Sequence, residues 1–253
     1  MLLENLTWPE VNALNVAEKI ILFPLGSFEQ HGHHLPLTTD TDIVTGIARR
    51  VERARTEKIL CLPTLWSGHS THHLFFPGTL SVSQSPYIEM VLGLCRSIAS
   101  MGGNKIFLLN GHGGNEIPVK AAMRELKTEF PKLQFVFASY WTLAAKTIQS
   151  VRESEIGGLG HACEMETSVM LYLHPERVKM ELAKPDGRER FQDVYRKSDM
   201  MQGSPIYSVS EFDELSETGT VGFPQMATAE KGEKFVNGIV QEVAAFVDEF
   251  SKW

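Results

Sequence analysis

The chain has 253 residues, of which 43% are hydrophobic, and its formal net charge is −7. A chain of this length can bury close to three-quarters of its unfolded surface in one core, so we expect residues 1–253 to form a single domain. The 24 Lys and Arg are scattered along the sequence and offer no basic footprint for nucleic acid or anionic lipid. Charge and length therefore favour a small-molecule partner.

The sequence also indicates a compartment. The first stretch, MLLENLTWPEVNALN, mixes acids and amides into its apolar residues and lacks the continuous apolar core of a secretory signal. No run approaches the roughly eighteen apolar residues of a membrane span. The three cysteines are widely spaced, as expected of reduced thiols. These features predict a cytoplasmic protein that does not enter a membrane.

Short apolar runs of strand type alternate with amphipathic helical stretches through the first two-thirds of the chain. This alternation predicts an α/β fold with a largely parallel sheet flanked by helices. The predicted strands are Lys19 to Phe23, Lys58 to Leu62, Lys105 to Leu109 and Leu133 to Ala138. Helices are predicted after Asp40, from about Tyr87 to Ser100, up to Lys127, from near Glu166 and from Ala227 to Phe250. Residues 185–217 are polar and predict a long loop that acts as a lid or an oligomer contact.

A chemically unusual loop follows each predicted strand. Because the carboxyl ends of parallel strands lie along one edge of a sheet, we expect these loops to converge on one crevice. Eight of the nine histidines fall in four short clusters within the loops or just beyond them. Histidines that serve only as structural residues would be spread more evenly.

The first loop carries Glu29 and His31, and Asp40 follows nine residues after His31. Carboxylate oxygens and imidazole nitrogens suit Zn, Mn or Fe(II), and a carboxylate can bridge two cations. Asp40 is the natural bridge in this segment. The alternative is a polar loop in which Asp40 only caps a helix.

The third loop is Asn110-Gly111-His112-Gly113-Gly114-Asn115. Its glycines let the backbone approach a ligand closely, so His112 can be held at the edge of the sheet. A glycine-rich loop before a helix also binds phosphate, but the P-loop lysine and the spaced glycines of a dinucleotide site are missing.

A further segment, GHACEMETS, carries His161, Cys163, Glu164 and Glu166 at a predicted helix start. Glu166 is a candidate metal ligand or catalytic group, or an acid stabilised by the helix dipole. Cys163 beside His161 offers a rival hypothesis, a thiol hydrolase, because a thiolate near a histidine and a helix N-terminus has a depressed pKa. That rival leaves Glu29, His31 and Asp40 without a role.

Together the segments LGSFEQHGHHLPLTTDTD, HHLFFPGTLS, NGHGGN and HACEMETS resemble the creatininase family of amidohydrolases over most of the chain. The resemblance implies a three-layer α/β/α fold, a centre of two divalent cations (Zn, Mn or Fe) and a homo-oligomer, usually a hexamer. Position by position, Glu29 and His112 match ligands of one metal, His31 matches a ligand of the other, and Asp40 matches the bridge. His161 matches a proton donor. His73, Gly78 and Thr79 match a loop that lines the substrate pocket.

One position departs from the family's creatinine-hydrolysing members, which have a glutamate metal ligand where this chain has Gly114. We therefore expect Glu166, or else Glu164 or water, to complete the second metal site. The HGGN form is similar to branches that contain formamidopyrimidine deformylases and the mycofactocin precursor peptidase. The expected activity is hydrolysis of a non-peptide or cyclic amide or formamide; a metallopeptidase and a non-catalytic metal-binding protein are the alternatives. Asn115, Tyr140 and Trp141 are further candidates for substrate contact.

Overall fold

The computed structural model describes residues 1–187, 193–197 and 199–253. Its helices are α1 Trp8–Ala13, α2 Thr39–Ala54, α3 Gln84–Ser100, α4 Glu116–Glu129, α5 Tyr140–Leu143, α6 Ala145–Val151, α7 Glu164–Leu173, α8 Phe212–Leu215 and α9 Ala229–Phe250. Its strands are β1 Ile20–Leu25, β2 Ile59–Cys61, β3 Lys105–Asn110, β4 Gln134–Ser139, β5 Leu159–His161 and β6 Val221–Gly222. In this part of the chain no helix is long and apolar enough to cross a membrane.

The first four strands form one parallel sheet in the order β2-β1-β3-β4. β1 is a central strand and all six of its residues are buried. It nevertheless contains Pro24, which has no N–H to give to a neighbour. The ladder between β1 and β2 ends at the Leu22–Cys61 pair, so the missing donor falls beyond the end of β2. The apolar runs predicted all four strands because strands buried on both faces are continuously hydrophobic.

Helices cover both faces of the sheet. Ile20 and Leu22 of β1 point to a core shared with α2, α7 and α9, whereas Ile21 and Phe23 point to a second core shared with α3 and α4. This division follows from the alternation of side chains along a strand. The arrangement is a three-layer α/β/α sandwich with a parallel sheet, which confirms the predicted fold class.

Two features lie outside the predicted pattern. β5 pairs antiparallel with β6 in a separate two-stranded sheet, in which Leu159 faces Gly222. The predicted loop at 185–217 contains α8, whose start is capped by the reciprocal contacts of Glu211 and Glu214. Residues 188–192 and 198 of that predicted loop lie outside the described residues. Strands of two or three residues and a four-residue helix are too short to give a sequence periodicity.

Candidate metal centre

Six of the predicted site residues meet at the end of the sheet where β1 and β3 finish. Three lie in the loops that follow these strands and the other three in α2, β5 and α7; they are Glu29, His31, Asp40, His112, His161 and Glu166. All are buried except His161, which is partly exposed. The fold therefore brings together residues that are up to 137 positions apart in the sequence.

The donor atoms fall into groups that share members. One group consists of Glu29, Asp40 and His112, and a second consists of His31, Asp40 and Glu166, with the ligand atoms of each group within 4.8 Å of one another. Glu29, His31 and His161 form a third such group. Asp40 is the carboxylate common to the first two groups, and a carboxylate has one oxygen for each of two cations.

His112 shows why the first group fits a cation. Its Nε2 lies 3.1 Å from the carbonyl oxygen of His69, an acceptor that requires the proton on Nε2. The other nitrogen, Nδ1, lies 3.1 Å from both Glu29 Oε2 and Asp40 Oδ2. In neutral His112 three lone pairs thus face one another, which is unfavourable unless a proton or a metal ion lies between them.

His31 repeats this arrangement in the second group. Its Nδ1 lies 3.2 Å from the carbonyl oxygen of Glu29, and its Nε2 lies 3.0 Å from Asp40 Oδ1. Within the part of the chain that the structure describes, Glu29 Oε1 and Asp40 Oδ2 are buried and accept no hydrogen bond. Buried carboxylate oxygens without a donor are costly, so both groups fit divalent cations.

The chain is similar to known proteins over nearly its whole length. The profile of the creatininase family, described as creatinine amidohydrolase, matches residues 4–247. The chain belongs to the creatininase family. It is 29% identical over 257 residues to a mycofactocin precursor peptide peptidase of Mycobacterium ulcerans (strain Agy99), covering 98% of this chain and 86% of that protein. It is 28% identical over 262 residues to a creatinine amidohydrolase of Pseudomonas putida, covering 97% and 95%.

Solved creatininase structures share the fold. A Mn creatininase, a mutant of Zn-Zn type and a mutant complexed with creatine each match with a TM-score of 0.80 at 27% or 28% identity. Each match covers 98% of this chain and 97% of the other. The family is metal-dependent, and this chain is a creatininase-like hydrolase.

The charges of the cluster compensate one another. Burial disfavours a charged imidazole, but the neighbouring carboxylates, Asp40 first, together outweigh burial and raise the pKa of His31 to about 9. Burial also opposes the charged form of His112, and Glu29 and Asp40 together outweigh it, so the pKa of His112 lies well above the ordinary value. Burial raises the pKa of Glu166 to about 7. Positive charge is thus favoured among these carboxylates.

His161 and His73 are held by Gln30, a buried residue that the sequence analysis did not single out. His161 Nε2 lies 2.8 Å from the carbonyl oxygen of Gln30, so Nε2 carries the proton and Nδ1, 3.9 Å from Glu29 Oε1, faces the carboxylates. The Gln30 amide nitrogen lies 2.9 Å from His73 Nδ1 and donates to it. His73 Nε2 lies 3.3 Å from Glu29 Oε1, without a hydrogen bond between the two atoms. Burial lowers the pKa of both histidines well below the ordinary value.

The structure separates Glu164 from Glu166. The Glu164 carboxylate accepts hydrogen bonds from the Lys231 ammonium at 2.7 Å and from the backbone N–H groups of Glu153 and Ser154. It belongs to none of the donor groups found among the described residues, whereas Glu166 belongs to one. Cys163 is fully buried in the apolar core, and burial raises the pKa of its thiol, which disfavours a thiol nucleophile.

The predicted substrate residues occupy different positions. His73 and Trp141 line a cavity of about 250 Å³ that contains Glu29, Asp40 and His112. Tyr140 is buried in the core beneath it. The remaining three have structural contacts: Asn115 bonds to Gly26 O, Asn110 Oδ1 and His69 N, Thr79 Oγ1 accepts from Gln30 N, and Gly78 has a positive φ of 97°.

Proposed function

We propose that the protein is an amidohydrolase that uses two divalent cations (Zn, Mn or Fe) per chain. Glu29, His112 and Asp40 would hold one ion, and His31, Glu166 and Asp40 would hold the other. The observation that carries this proposal is the pair of buried donor groups joined by Asp40. When bound, such ions lower the pKa of water and polarise an amide carbonyl, commonly by several kcal/mol of transition-state stabilisation.

The residues around the ions have separate tasks in this proposal. His161 would accept the proton of the attacking water on Nδ1 and pass it to the departing nitrogen, because amines are poor leaving groups until they are protonated. Gln30 fixes this role, since its carbonyl oxygen holds the opposite nitrogen of the ring. His73 packs against the Glu29 carboxylate, with its Nε2 3.3 Å from Oε1.

The substrate in this proposal is a non-peptide or cyclic amide or a formamide. A peptide is the second candidate, because relatives of 29% to 32% identity are named mycofactocin precursor peptide peptidases. Both substrates are cleaved at a carbon–nitrogen bond. We also propose a cytoplasmic, single-domain protein that assembles into a hexamer, as the family resemblance implies; light scattering of the purified protein tests the subunit count.

Metal content tests the central proposal. Wild-type protein reconstituted with Zn or Mn should hold close to two ions per chain by elemental analysis and should hydrolyse at least one member of an amide and formamide panel. Asp40→Ala should lose more metal than any other single ligand variant because it removes a donor from both groups. Asp42→Ala is the matched control: Asp42 lies in the same helical turn but bonds to Thr38 and Arg177.

Two results would contradict the proposal. Wild-type protein that neither retains metal nor gains activity from added Zn or Mn has no metal centre. Protein with two ions and no turnover on any amide would be a metal-binding protein without this catalytic activity.

A further inference from the structure

A second, larger cavity borders the cavity at the candidate metal centre. The first has a volume of about 250 Å³ and the second about 990 Å³. They share four wall residues, Gly160, His161, Met200 and Phe212. Ligand sites for drug-sized molecules have volumes of about 300–1,000 Å³. The metal cavity is therefore smaller than this range, whereas the outer cavity lies near its upper end.

Phe212, the first residue of α8, forms the partition between the two cavities. Its ring stacks on His73, with centroids 4.1 Å apart and planes inclined by 24°, and meets His161 edge to face at 4.7 Å. Phe212 is 6% exposed. An aromatic ring packed on two imidazoles narrows the passage to the metals, so only part of a large substrate fits on the inner side.

The outer cavity is lined by apolar, hydroxyl-bearing and charged side chains. Ile156, Leu215 and Phe223 contribute apolar surface, and Ser204 and Ser208 contribute hydroxyls. Two acids and two bases also line it: Glu155, Asp186, Arg196 and Lys197. The Asp186 carboxylate accepts hydrogen bonds from residues 187 and 216–218. Such a wall accommodates amide groups together with hydrophobic side chains.

We propose that the two cavities bind the two halves of one amide: a compact acyl group beside the metals and a bulky amine part in the outer cavity. This inference rests on the proposed function. His161 fixes the direction, because the residue that protonates the departing nitrogen lies on the wall common to both cavities. The enzyme then selects its substrate by the size of the amine and rejects large acyl groups.

Four probes test the direction of binding in metal-loaded protein. N-formyl and N-benzoyl groups are each attached to methylamine and to phenylalanyl-leucine amide, so acyl size and amine size vary independently. We expect the formyl dipeptide to give kcat/KM at least tenfold above N-formylmethylamine, and both benzoyl compounds to be at least tenfold poorer than their formyl partners. Equal kcat/KM for the two formyl compounds, or a preference for benzoyl, would overturn the inference.

A blocking variant tests the outer cavity itself. Ser208→Trp places an indole on its wall, and Val209→Trp places one on the neighbouring residue, which is exposed and does not line the cavity. Ser208→Trp should reduce kcat/KM for the formyl dipeptide at least tenfold more than for N-formylmethylamine. Val209→Trp should not alter this ratio. If both variants change the ratio of the two kcat/KM values equally, or if neither variant changes it, the outer cavity does not bind the amine part.

Binding of free phenylalanyl-leucine amide gives a readout that does not depend on turnover. Calorimetry should detect it with the wild type and show Kd raised at least tenfold in Ser208→Trp. If no probe is hydrolysed but this binding difference holds, the proposed function fails and the outer site stands. If small amides are hydrolysed and the dipeptide amide does not bind, the outer site fails and the proposed function stands.

Discussion

Replacement of Lys231 by methionine should destabilise the protein without affecting its metals. Lys231 lies at the start of α9 and donates to Glu164 Oε1 at 2.7 Å, to Glu153 Oε2 at 3.1 Å and to the carbonyl oxygen of Met226. Both Lys231 and Glu164 are buried. The pair ties α9 to α7, the helix that carries Glu166. Methionine keeps an unbranched apolar side chain that ends at Cε, and it removes the ammonium group with its charge and its hydrogen bonds.

The structure sets the expected size of the effect. Removing one partner of a buried ion pair costs about 3–5 kcal/mol, since the other charge is left unpaired. Glu164 keeps two backbone N–H donors, from Glu153 and Ser154, at 3.0 and 2.9 Å. We therefore expect Lys231→Met to lower the free energy of unfolding by about 3 kcal/mol, the lower end of this range. For a chain of this size 1 kcal/mol corresponds to roughly 2–4 °C, so the Tm should fall by about 6–12 °C.

Thermal and urea unfolding followed by circular dichroism at pH 7 measure this loss, and elemental analysis of the same samples measures metal. Lys252→Met is the matched control, because Lys252 pairs with Glu249 on the exposed surface and its loss should cost less than about 1 kcal/mol. A loss below 1 kcal/mol in Lys231→Met would refute the reasoning. Loss of metal at unchanged stability would place Glu164 in the metal site instead.

The pair also predicts a pH dependence. Burial opposes the charged form of Glu164, but its hydrogen bonds, first that of Lys231, outweigh burial and lower its pKa below the ordinary value of 4.5. A carboxyl with a depressed pKa stabilises the fold above its unfolded pKa, and this contribution is lost as the pH falls through the folded pKa. The stability difference between wild type and Lys231→Met should therefore be full at pH 7 and shrink below about pH 4.5. A constant difference down to pH 3 would contradict this.

Three further substitutions separate the remaining roles. Glu166→Gln should weaken the binding of one ion of the two at least tenfold in metal titrations while the Tm of the metal-free protein stays the same; equal loss of both ions would contradict the assignment. His161→Ala should keep both ions and lose about 10²–10⁴-fold in kcat, less for less basic leaving amines, and an equal loss for all amines would make it a binding residue. Tyr87→Phe should leave stability unchanged or raise it by up to about 1 kcal/mol in urea unfolding, because the buried Tyr87 hydroxyl has no hydrogen-bond partner in the described residues; a loss above 1 kcal/mol would reveal one.

The parallel sheet could be predicted because its strands are continuously apolar and each is followed by a marked loop. β1 was predicted as Lys19 to Phe23 and spans Ile20–Leu25, and the ends of the other three strands differ from the prediction by at most one residue. β5 and β6 could not be predicted, since LGH and VG carry no alternation of apolar and polar residues. α8 could not be predicted either, because its four residues are too few to show a helical period.

The candidate site shows the same limit. The convergence of Glu29, His31 and His112 follows from the rule that parallel strands end along one edge. Phe212 gives no such signal, because its position over His73 depends on the path of a chain segment without a periodic pattern. Gln30 lies between two predicted ligands, but only the structure shows that its side chain connects His73 and its carbonyl oxygen holds His161.

Gly114 stands where the family resemblance predicts a glutamate ligand in the creatinine-hydrolysing members, and its surroundings leave no room for a side chain. A Cβ at this position would lie 2.5 Å from His112 Nε2, 2.8 Å from His72 Cε1 and closer still to the carbonyl oxygen of His69. A glutamate therefore cannot replace Gly114 unless the loop that carries His69 and His72 moves. Glu166 reaches His31 and Asp40 from α7, on the other side of the site. In the proposed function, the second ion would therefore take its carboxylate from α7, while the glycine loop packs against His72.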